Sequence, residues 1–214
     1  MGKISNIIWD WNGTLFNDID VCISVMNSIL KERELKAIAN REQYRQLFCF
    51  PVSEYYEKLG FDFSAQSFES LAKLFVEQYQ ANAQHCGLYP QALAVLQQMK
   101  QSNQKQVILS ASKTEHLLEQ MSLFPISQYF DAVLGLDDYY AKSKIEVGKH
   151  WMNENKICSE DVMIIGDTLH DYEVSVALGC QCILIADGHQ SRKVLSNCNC
   201  AIVDHISEVP MYVV

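Results

Sequence analysis

The sequence lacks any long hydrophobic run and any surplus of basic residues. No stretch approaches the ~20 apolar residues that a membrane-spanning helix requires, and Asp10 ends the first apolar run too early for a signal peptide. Lys and Arg number 17 against 26 Asp and Glu, which gives a net charge of −9. Because contacts to a phosphate backbone need a basic face, this balance argues against a nucleic-acid-binding protein. We therefore expect a cytoplasmic protein with neither nucleic-acid nor membrane partners.

Internal repeats and low-complexity segments are also missing, and the composition is that of an ordinary folded protein. The 214 residues are 49% hydrophobic and 20% charged, enough for one large domain or two modest ones. In a cytoplasmic protein the eight cysteines are expected to be reduced thiols. The pairs Cys180/Cys182 and Cys198/Cys200 are spaced more closely than structural zinc sites prefer, which favours packing within strands over a metal site.

Two different patterns divide the chain. Residues 17–86 show apolar residues at helical spacing and no strand-like run. After Gly87, short apolar strands alternate with helices, and the apolar run at residues 4–9 belongs with them. Such alternation is typical of a parallel sheet covered by helices on both faces. The sequence thus predicts an α/β protein with a Rossmann-like, doubly wound parallel-sheet core, residues 1–16 and 87–214, into which an all-helical domain, residues 17–86, is inserted.

Polar groups follow three of the predicted strands and begin one of the helices. Residues 10–15 (Asp-Trp-Asn-Gly-Thr-Leu) follow the first strand, residues 110–112 (Ser-Ala-Ser) the second, and residues 166–171 (Gly-Asp-Thr-Leu-His-Asp) a later one. Lys142 and Lys144 lie at the start of a helix. Because an open parallel sheet binds ligands beyond the carboxyl ends of its strands, these groups are expected on one rim. Together they suit Mg²⁺ and a phosphate group.

In their order, spacing and strand context these segments resemble the motifs of the haloacid dehalogenase superfamily, and the resemblance covers essentially the whole chain. The inserted helices resemble the helical cap of the phosphoglycolate phosphatase-like branch. The resemblance implies a Mg²⁺-dependent hydrolase of small phosphorylated metabolites that acts on phosphomonoesters. We expect a monomer or a homodimer.

The resemblance also implies a nucleophile and a metal site. Asp10 is expected to attack phosphorus and form an aspartyl-phosphate. Mg²⁺ is expected to bind a carboxylate oxygen of Asp10, the backbone carbonyl of Asn12 and the carboxylate of Asp167. Asp171 is expected to be an outer or water-mediated partner of the metal.

A second set of residues is expected to bind the phosphoryl group. Thr14 and Ser110 are expected to donate hydrogen bonds to it, together with nearby backbone N–H groups such as that of Ala111. Lys144 is expected to neutralise the phosphoryl group and Asp10. Lys142 is equally basic, but Lys144 is preferred because it opens the helix whose start should face the site.

Position 12 departs from the family pattern. The phosphatases usually carry a second Asp there, the general acid and base, whereas a carboxamide cannot transfer protons near pH 7, and losing that help costs ~10²–10⁴ in rate. Three interpretations stay open: substrates with good leaving groups, such as acyl or aryl phosphates; another proton carrier, with His170 and His189 as candidates; or a catalytically weak protein that binds phosphate ligands. Phosphonate hydrolysis and phosphomutase chemistry are further alternatives within the superfamily. On the leading interpretation, Asn12→Asp is expected to raise alkyl phosphatase activity.

Four aromatic residues of the helical segment lie near Pro51, where related caps reach toward the substrate. These residues are Phe48, Phe50, Tyr55 and Tyr56. Either they contribute to substrate specificity, or they only pack the helices of the cap together.

Overall fold

A six-stranded parallel sheet forms the centre of the computed structural model, which describes residues 4–136 and 143–213. In chain order the strands are β1 (Asn6–Trp9), β2 (Phe16–Asn17), β3 (Gly87–Leu88), β4 (Lys105–Lys113), β5 (Ala132–Leu136), β6 (Val162–Gly166), β7 (Gln181–Ile185) and β8 (Ala201–Val203). The central sheet has the order β5-β4-β1-β6-β7-β8, and every neighbouring pair in it is parallel. Trp9 at the end of β1 pairs with Ile108 of β4 and Ile165 of β6, so the loops that follow these strands share one rim.

Helices connect the strands and cover the sheet. Within the described residues they are α1 (Ile19–Lys31), α2 (Arg41–Leu47), α3 (Val52–Lys58), α4 (Phe68–Ala83), α5 (Ala92–Gln101), α6 (Thr114–Ser122), α7 (Lys144–Glu154), α8 (Leu169–Leu178), α9 (Arg192–Leu195) and α10 (Pro210–Val213). Across the described part of the chain, no helix is long and apolar enough to cross a membrane. The predicted α/β class with a parallel, Rossmann-like sheet is confirmed.

Strand β1 shows how the sheet is buried on both faces. Ile7 and Trp9 point to one hydrophobic cluster and Ile8 to another, because side chains alternate across a strand. The cluster around Trp9 continues into the inserted helices through Met26 and Tyr56. The inserted helices and the sheet face that contains Ile7 and Trp9 therefore share one apolar core.

Two helices begin directly after a capping serine. Helix α4 begins after Ser67, whose side chain accepts a hydrogen bond from the Ser70 N–H at 3.3 Å. The helix predicted from Lys142 begins as α7 after Ser143, which accepts from the Glu146 N–H at 3.3 Å. Lys142 itself lies outside the described residues.

The short antiparallel pair β2–β3 was not predicted. Phe16 pairs with Leu88 and Asn17 with Gly87, so the chain enters and leaves the segment of helices α1–α4 side by side. Two-residue strands carry too little alternation to be recognised from a sequence. The division of the chain into two domains near residues 16 and 87 stays a prediction.

Candidate active site

Asp10 lies directly after β1, in a tight loop that brings it to the middle of the rim. The Trp11 carbonyl accepts hydrogen bonds from the N–H groups of Leu15 and Phe16, at 3.0 and 2.9 Å, which closes the loop. Gly13 has φ of +74°, in the left-handed region that favours glycine, and a Cβ at this position would collide with the Asp167 carboxylate. The glycine therefore lets the loop after β1 approach the loop after β6.

Lys144 joins two carboxylates at the rim. Its Nζ donates to Asp10 Oδ1 at 2.7 Å and to Asp171 Oδ1 at 2.6 Å, and the residue is only 4% exposed. The start of α7 thus faces the site, as predicted from the position of Lys144 at the start of this helix. A charge-neutralising role for Lys144 toward a phosphoryl group stays a prediction.

The second carboxylate oxygen of Asp171 accepts hydrogen bonds from residues at the start of α8. Asp171 Oδ2 accepts from the Thr168 hydroxyl at 2.7 Å and from the N–H groups of Thr168 and Asp167 at 3.1 and 3.2 Å. With the Thr168 side chain bonded in return to the Asp171 N–H, this is a capping box. Asp171 therefore holds the loop of Asp167 and the ammonium of Lys144 in fixed positions.

Three carboxylates could surround a cation here. Oxygen atoms of Asp10, Asp167 and Asp171 lie within 4.8 Å of one another. The Thr14 hydroxyl lies 2.9 Å from Asp167 Oδ1 and 3.4 Å from Asp10 Oδ2, and the His189 N–H donates to Asp167 Oδ2 at 2.5 Å. Asp10 and Asp167 are thus brought together as the sequence predicted, whereas metal binding by the Asn12 carbonyl stays a prediction.

The electrostatics of these carboxylates suit a cation. Burial raises the pKa of Asp10 to about 6, although Lys144 opposes this, and burial raises the pKa of Asp167 to about 8. Burial acts in the same direction on Asp171, but Lys144 and the hydrogen bonds from Thr168 hold its pKa below the usual value. Crowded carboxylates in a buried site are stabilised as anions by a nearby positive charge, and oxygen donors are those that Mg²⁺ prefers. The donor set therefore fits Mg²⁺.

One of the predicted phosphate-binding residues, Thr14, is buried against the carboxylates of Asp10 and Asp167. Ser110 is buried within β4, three residues before the strand ends, and its oxygen accepts the Ser112 N–H at 3.0 Å. Ala111 lies between Ser110 and Ser112 in the chain and lines a cavity on the side of the inserted helices. Phosphate binding by these three residues stays a prediction.

Asn12 is held by a network that the sequence did not reveal. Its Nδ2 donates to Asp18 Oδ2 and to the Tyr79 hydroxyl, each at 2.8 Å, and its Oδ1 accepts from the Ser112 hydroxyl at 3.0 Å. The Tyr79 hydroxyl in turn donates to Asp18 Oδ2 at 2.7 Å. Asp18 directly precedes α1, and no local sequence pattern marks it as part of the site. A carboxamide at position 12 can donate a hydrogen bond to the Asp18 carboxylate, whereas an ionised aspartate at that position could not.

His189 completes this network. Its Nε2 lies 3.3 Å from Asp18 Oδ1, and its Nδ1 lies 2.8 Å from the Tyr44 hydroxyl. Burial opposes protonation, but Asp18, with smaller contributions from Asp167 and Asp10, raises the pKa of His189 to about 9. Both ring nitrogens are engaged within the protein, so proton transfer by His189, which stays a prediction, requires one of these bonds to open.

His170, the other candidate proton carrier, has different surroundings. Its Nδ1 lies 3.4 Å from Glu173, and its ring centroid lies 5.1 Å from that of Phe50 in the inserted segment. It is not among the residues that line the cavity beside Asn12. The geometry therefore gives His170 a contact with the inserted segment rather than a place in the network around Asn12.

A cavity of about 470 Å³ separates the inserted helices from the rim. Asn12, Ala111, Ser112 and His189 line it from the rim. Three of the four predicted aromatic residues line its opposite side, while Phe50 is 39% exposed and packs on Phe48. The lining aromatic residues of the inserted helices are Tyr44, Phe48, Tyr55, Tyr56, Phe75 and Tyr79.

The closely spaced cysteine pairs do not join a metal-binding group. Cys180, Cys182, Cys198 and Cys200 are free thiols that are partly buried in or near β7 and β8. Within the described ranges, neither candidate metal-binding cluster includes any of them.

The chain belongs to the haloacid dehalogenase-like hydrolase family, whose sequence model matches residues 7–185. A curated phosphoglycolate phosphatase of Photorhabdus laumondii is 25% identical over 120 residues, which are 55% of this chain and 51% of that protein. The chain thus aligns with about half the length of this relative.

Solved structures of the family share the fold over the whole chain. A haloacid dehalogenase-like family protein of Streptococcus pneumoniae has a TM-score of 0.83 at 22% identity, with 98% of each chain covered. A predicted phosphatase of Clostridium acetobutylicum has a TM-score of 0.79 at 20% identity, with 99% of each chain covered. At such identities the likeness concerns the fold.

Proposed function

We propose that this protein is a Mg²⁺-dependent phosphatase that hydrolyses phosphomonoesters of small metabolites through an aspartyl-phosphate on Asp10. The observation that carries the proposal is the placement of Asp10: its carboxylate touches Lys144 at 2.7 Å and shares the rim with Asp167 and Thr14. The family membership and the curated phosphoglycolate phosphatase relative support the same reaction class.

The protein's own residues divide the chemistry between them. A carboxylate oxygen of Asp10 attacks phosphorus, the bond from phosphorus to the ester oxygen breaks, and the leaving group departs with the bonding electrons. Water then attacks the phosphorus of the aspartyl-phosphate, which releases inorganic phosphate and restores Asp10. Lys144 stays beside Asp10 throughout, while Thr14, Ser110 and the N–H of Ala111 hold the phosphoryl oxygens.

Asp10, Asp167 and the Asn12 carbonyl would hold Mg²⁺, with Asp171 beside them. When bound, the ion neutralises phosphoryl charge and so makes attack by an anionic carboxylate easier. Cytoplasmic location, a small phosphorylated metabolite as ligand and a monomeric or homodimeric state belong to this proposal as well.

The proposal is tested by hydrolysis assays on purified protein with added Mg²⁺ and with EDTA. We expect phosphate release from phosphomonoesters that falls at least about tenfold in EDTA and returns when Mg²⁺ is restored. Activity that persists in EDTA contradicts the metal dependence. Binding of phosphate ligands without turnover supports instead the alternative of a catalytically weak binding protein.

Leaving-group chemistry gives a further prediction. Asn12 cannot donate a proton to the leaving oxygen at neutral pH, so the rate is expected to depend strongly on the acidity of the leaving alcohol. We expect p-nitrophenyl phosphate to turn over at least ~10²-fold faster than an alkyl phosphate of similar size. Equal kcat values for the two substrates contradict this, and point to a proton donor elsewhere in the site.

The structure changes the expected result of Asn12→Asp. The new carboxylate takes the place of an Nδ2 that lies 2.8 Å from Asp18, so two buried carboxylates meet. We expect the single variant to lose about 1–3 kcal/mol of unfolding free energy and to gain no alkyl phosphatase activity.

The exchange Asn12→Asp with Asp18→Asn is the matched control. It preserves one carboxylate and one carboxamide in contact, so stability, measured by thermal unfolding, should recover in part. Recovery is incomplete because Asp18→Asn also removes the carboxylate that is paired with His189. With a carboxyl at position 12, alkyl phosphatase activity should rise by ~10–10³-fold. If the single variant alone is stable and more active, Asp18 does not determine the residue at position 12.

A further inference from the structure

We propose that the cavity beside Asn12 receives the leaving group of the substrate, and that this leaving group is an aromatic alcohol, so that the preferred substrates are aryl phosphomonoesters. This inference rests on the proposed phosphatase function and narrows its substrate class. The lining of the cavity and the residue at position 12 support it independently.

The position of the cavity matches that of a leaving group. Asn12, Ala111 and Ser112 form its boundary toward the rim, and they lie within two residues of Asp10 or Ser110. A phosphoryl group at Asp10 therefore directs its ester substituent toward this space. A volume of about 470 Å³ accommodates a substituent of one or two fused rings.

The walls of the cavity suit an aromatic ring. Six aromatic side chains of the inserted helices line it, with Met26, Val52, Ala72 and Val76 among the remaining lining residues. Rings of this kind offer both apolar area and edge-to-face contacts to a bound ring. The same side chains provide no positive charge to a substituent such as a carboxylate.

The distribution of charge around the cavity also favours an uncharged substituent near the inserted helices. Of its lining residues in α1–α4, as far as the structure describes them, none is Lys or Arg, whereas Lys113 and His116 line its edge beside β4 and α6. His189 lies 3.3 Å from Asp18, so its ring is engaged within the protein. A substrate that placed an anionic group among α1–α4 would bury that charge against apolar walls, which is unfavourable.

A hydroxyl group in the lining lacks a partner. Tyr55 is only 3% exposed, and within the described part of the chain its hydroxyl makes no hydrogen bond. The other two tyrosine hydroxyls discussed above, those of Tyr44 and Tyr79, are bonded to His189 and Asp18. Buried hydroxyls are normally satisfied, but this one is closed off from the cavity, so a molecule in the cavity does not reach it unless the wall moves.

The residue at position 12 favours the same substrates for a chemical reason. With Asn12 bonded to Asp18 and Tyr79, no side-chain proton at this position reaches the leaving oxygen. Aromatic alcohols are more acidic than alkyl alcohols and leave without that proton. The shape of the cavity and the chemistry of the loop after β1 therefore select one class of leaving group.

Two substrates separate recognition of the ring from leaving-group acidity. Phenol and 2-naphthol have nearly equal acidity, but 2-naphthyl phosphate adds a second ring that the cavity can bury. We expect kcat/KM for 2-naphthyl phosphate to exceed that for phenyl phosphate by about tenfold, from the apolar area removed from water. A ratio of one or below overturns the proposal.

Filling the cavity is expected to remove this preference. Ala72→Phe and the smaller Ala72→Leu add bulk to a lining residue of α4, and each should lower the 2-naphthyl to phenyl ratio toward one. Lys73→Ala, on the solvent side of the same helix, is the matched control and should keep the wild-type ratio. An unchanged ratio in folded Ala72 variants overturns the assignment of the cavity.

A binding measurement distinguishes failure of this inference from failure of the proposed function. If the wild type with Mg²⁺ hydrolyses alkyl phosphates but neither aryl ester, this inference is wrong and the proposed function stands; if it hydrolyses none of these esters, the proposed function is wrong. Binding of both esters is then measured by naphthyl fluorescence and by competition with phenyl phosphate. Binding of 2-naphthyl phosphate about tenfold tighter than phenyl phosphate retains the cavity assignment, and equal affinity overturns it too.

Discussion

Asp10→Asn is expected to lower kcat for phosphomonoester hydrolysis by about 10⁴–10⁶-fold, the effect of removing a catalytic nucleophile. An amide oxygen is a poor nucleophile, and the aspartyl-phosphate cannot form. The fold should survive, because asparagine has the shape of aspartate and its oxygen can still accept the hydrogen bond from Lys144. The melting temperature should therefore stay within a few degrees of the wild type.

Two measurements make this prediction specific to covalent catalysis. Acid-quenched wild-type protein incubated with a ³²P-labelled ester should carry label that hydroxylamine removes, and Asp10→Asn should carry none. Asp204→Asn removes a carboxylate from an exposed ion pair with Arg192, and should leave both the rate and the labelling unchanged. Wild-type rates in Asp10→Asn would exclude Asp10 as the nucleophile.

Lys144→Met is expected to damage both activity and stability. The ammonium lies between two buried carboxylates, Asp10 and Asp171, and its removal leaves them without a countercharge. Breaking a buried pair in this way typically costs about 3–5 kcal/mol of unfolding free energy. Activity should fall by at least ~10³-fold because phosphoryl charge also loses its partner.

Companion variants separate the two effects of Lys144. Lys144→Arg preserves the charge and so should preserve most of the stability, but the larger planar guanidinium should still lower kcat by about 10²-fold. Lys149→Met changes an exposed lysine on the same helix and should alter neither property. Lys142→Ala is expected to have only a weak effect on activity. A larger loss from Lys142→Ala than from Lys144→Ala would assign the catalytic role to the other lysine.

The sequence predicted those parts of the site that follow from local pattern. Asp10 and Asp167 each come directly after a buried strand, and the apolar runs of β1 and β6 are distinct enough to place both at one rim. Lys144 was predicted from the start of a helix, where Ser143 provides the cap. In each case a few neighbouring residues contain the relevant information.

The network around Asn12 could not be predicted in this way. Asp18 contacts Tyr79 from 61 residues away in the chain, and Tyr44 contacts His189 across 145 residues. Such contacts depend on how the inserted helices sit over the rim, which no local pattern records. For the same reason the sequence presented Asn12 as a missing acid, whereas the structure shows it as one half of a matched pair with Asp18.

The β2–β3 pair has a consequence for how this architecture can change over time. Since Phe16 is paired with Leu88 and Asn17 with Gly87, the two ends of the helical segment are adjacent, and a different segment could replace it without moving the sheet. Position 12 limits that freedom. Asp18 and Tyr79 accept the hydrogen bonds of the Asn12 amide. Both lie between β2 and β3, within the segment that could be replaced. An exchanged segment that lacks an acceptor there would leave the partly buried Asn12 amide without these partners, so the loop after β1 and the helical segment are expected to be inherited together.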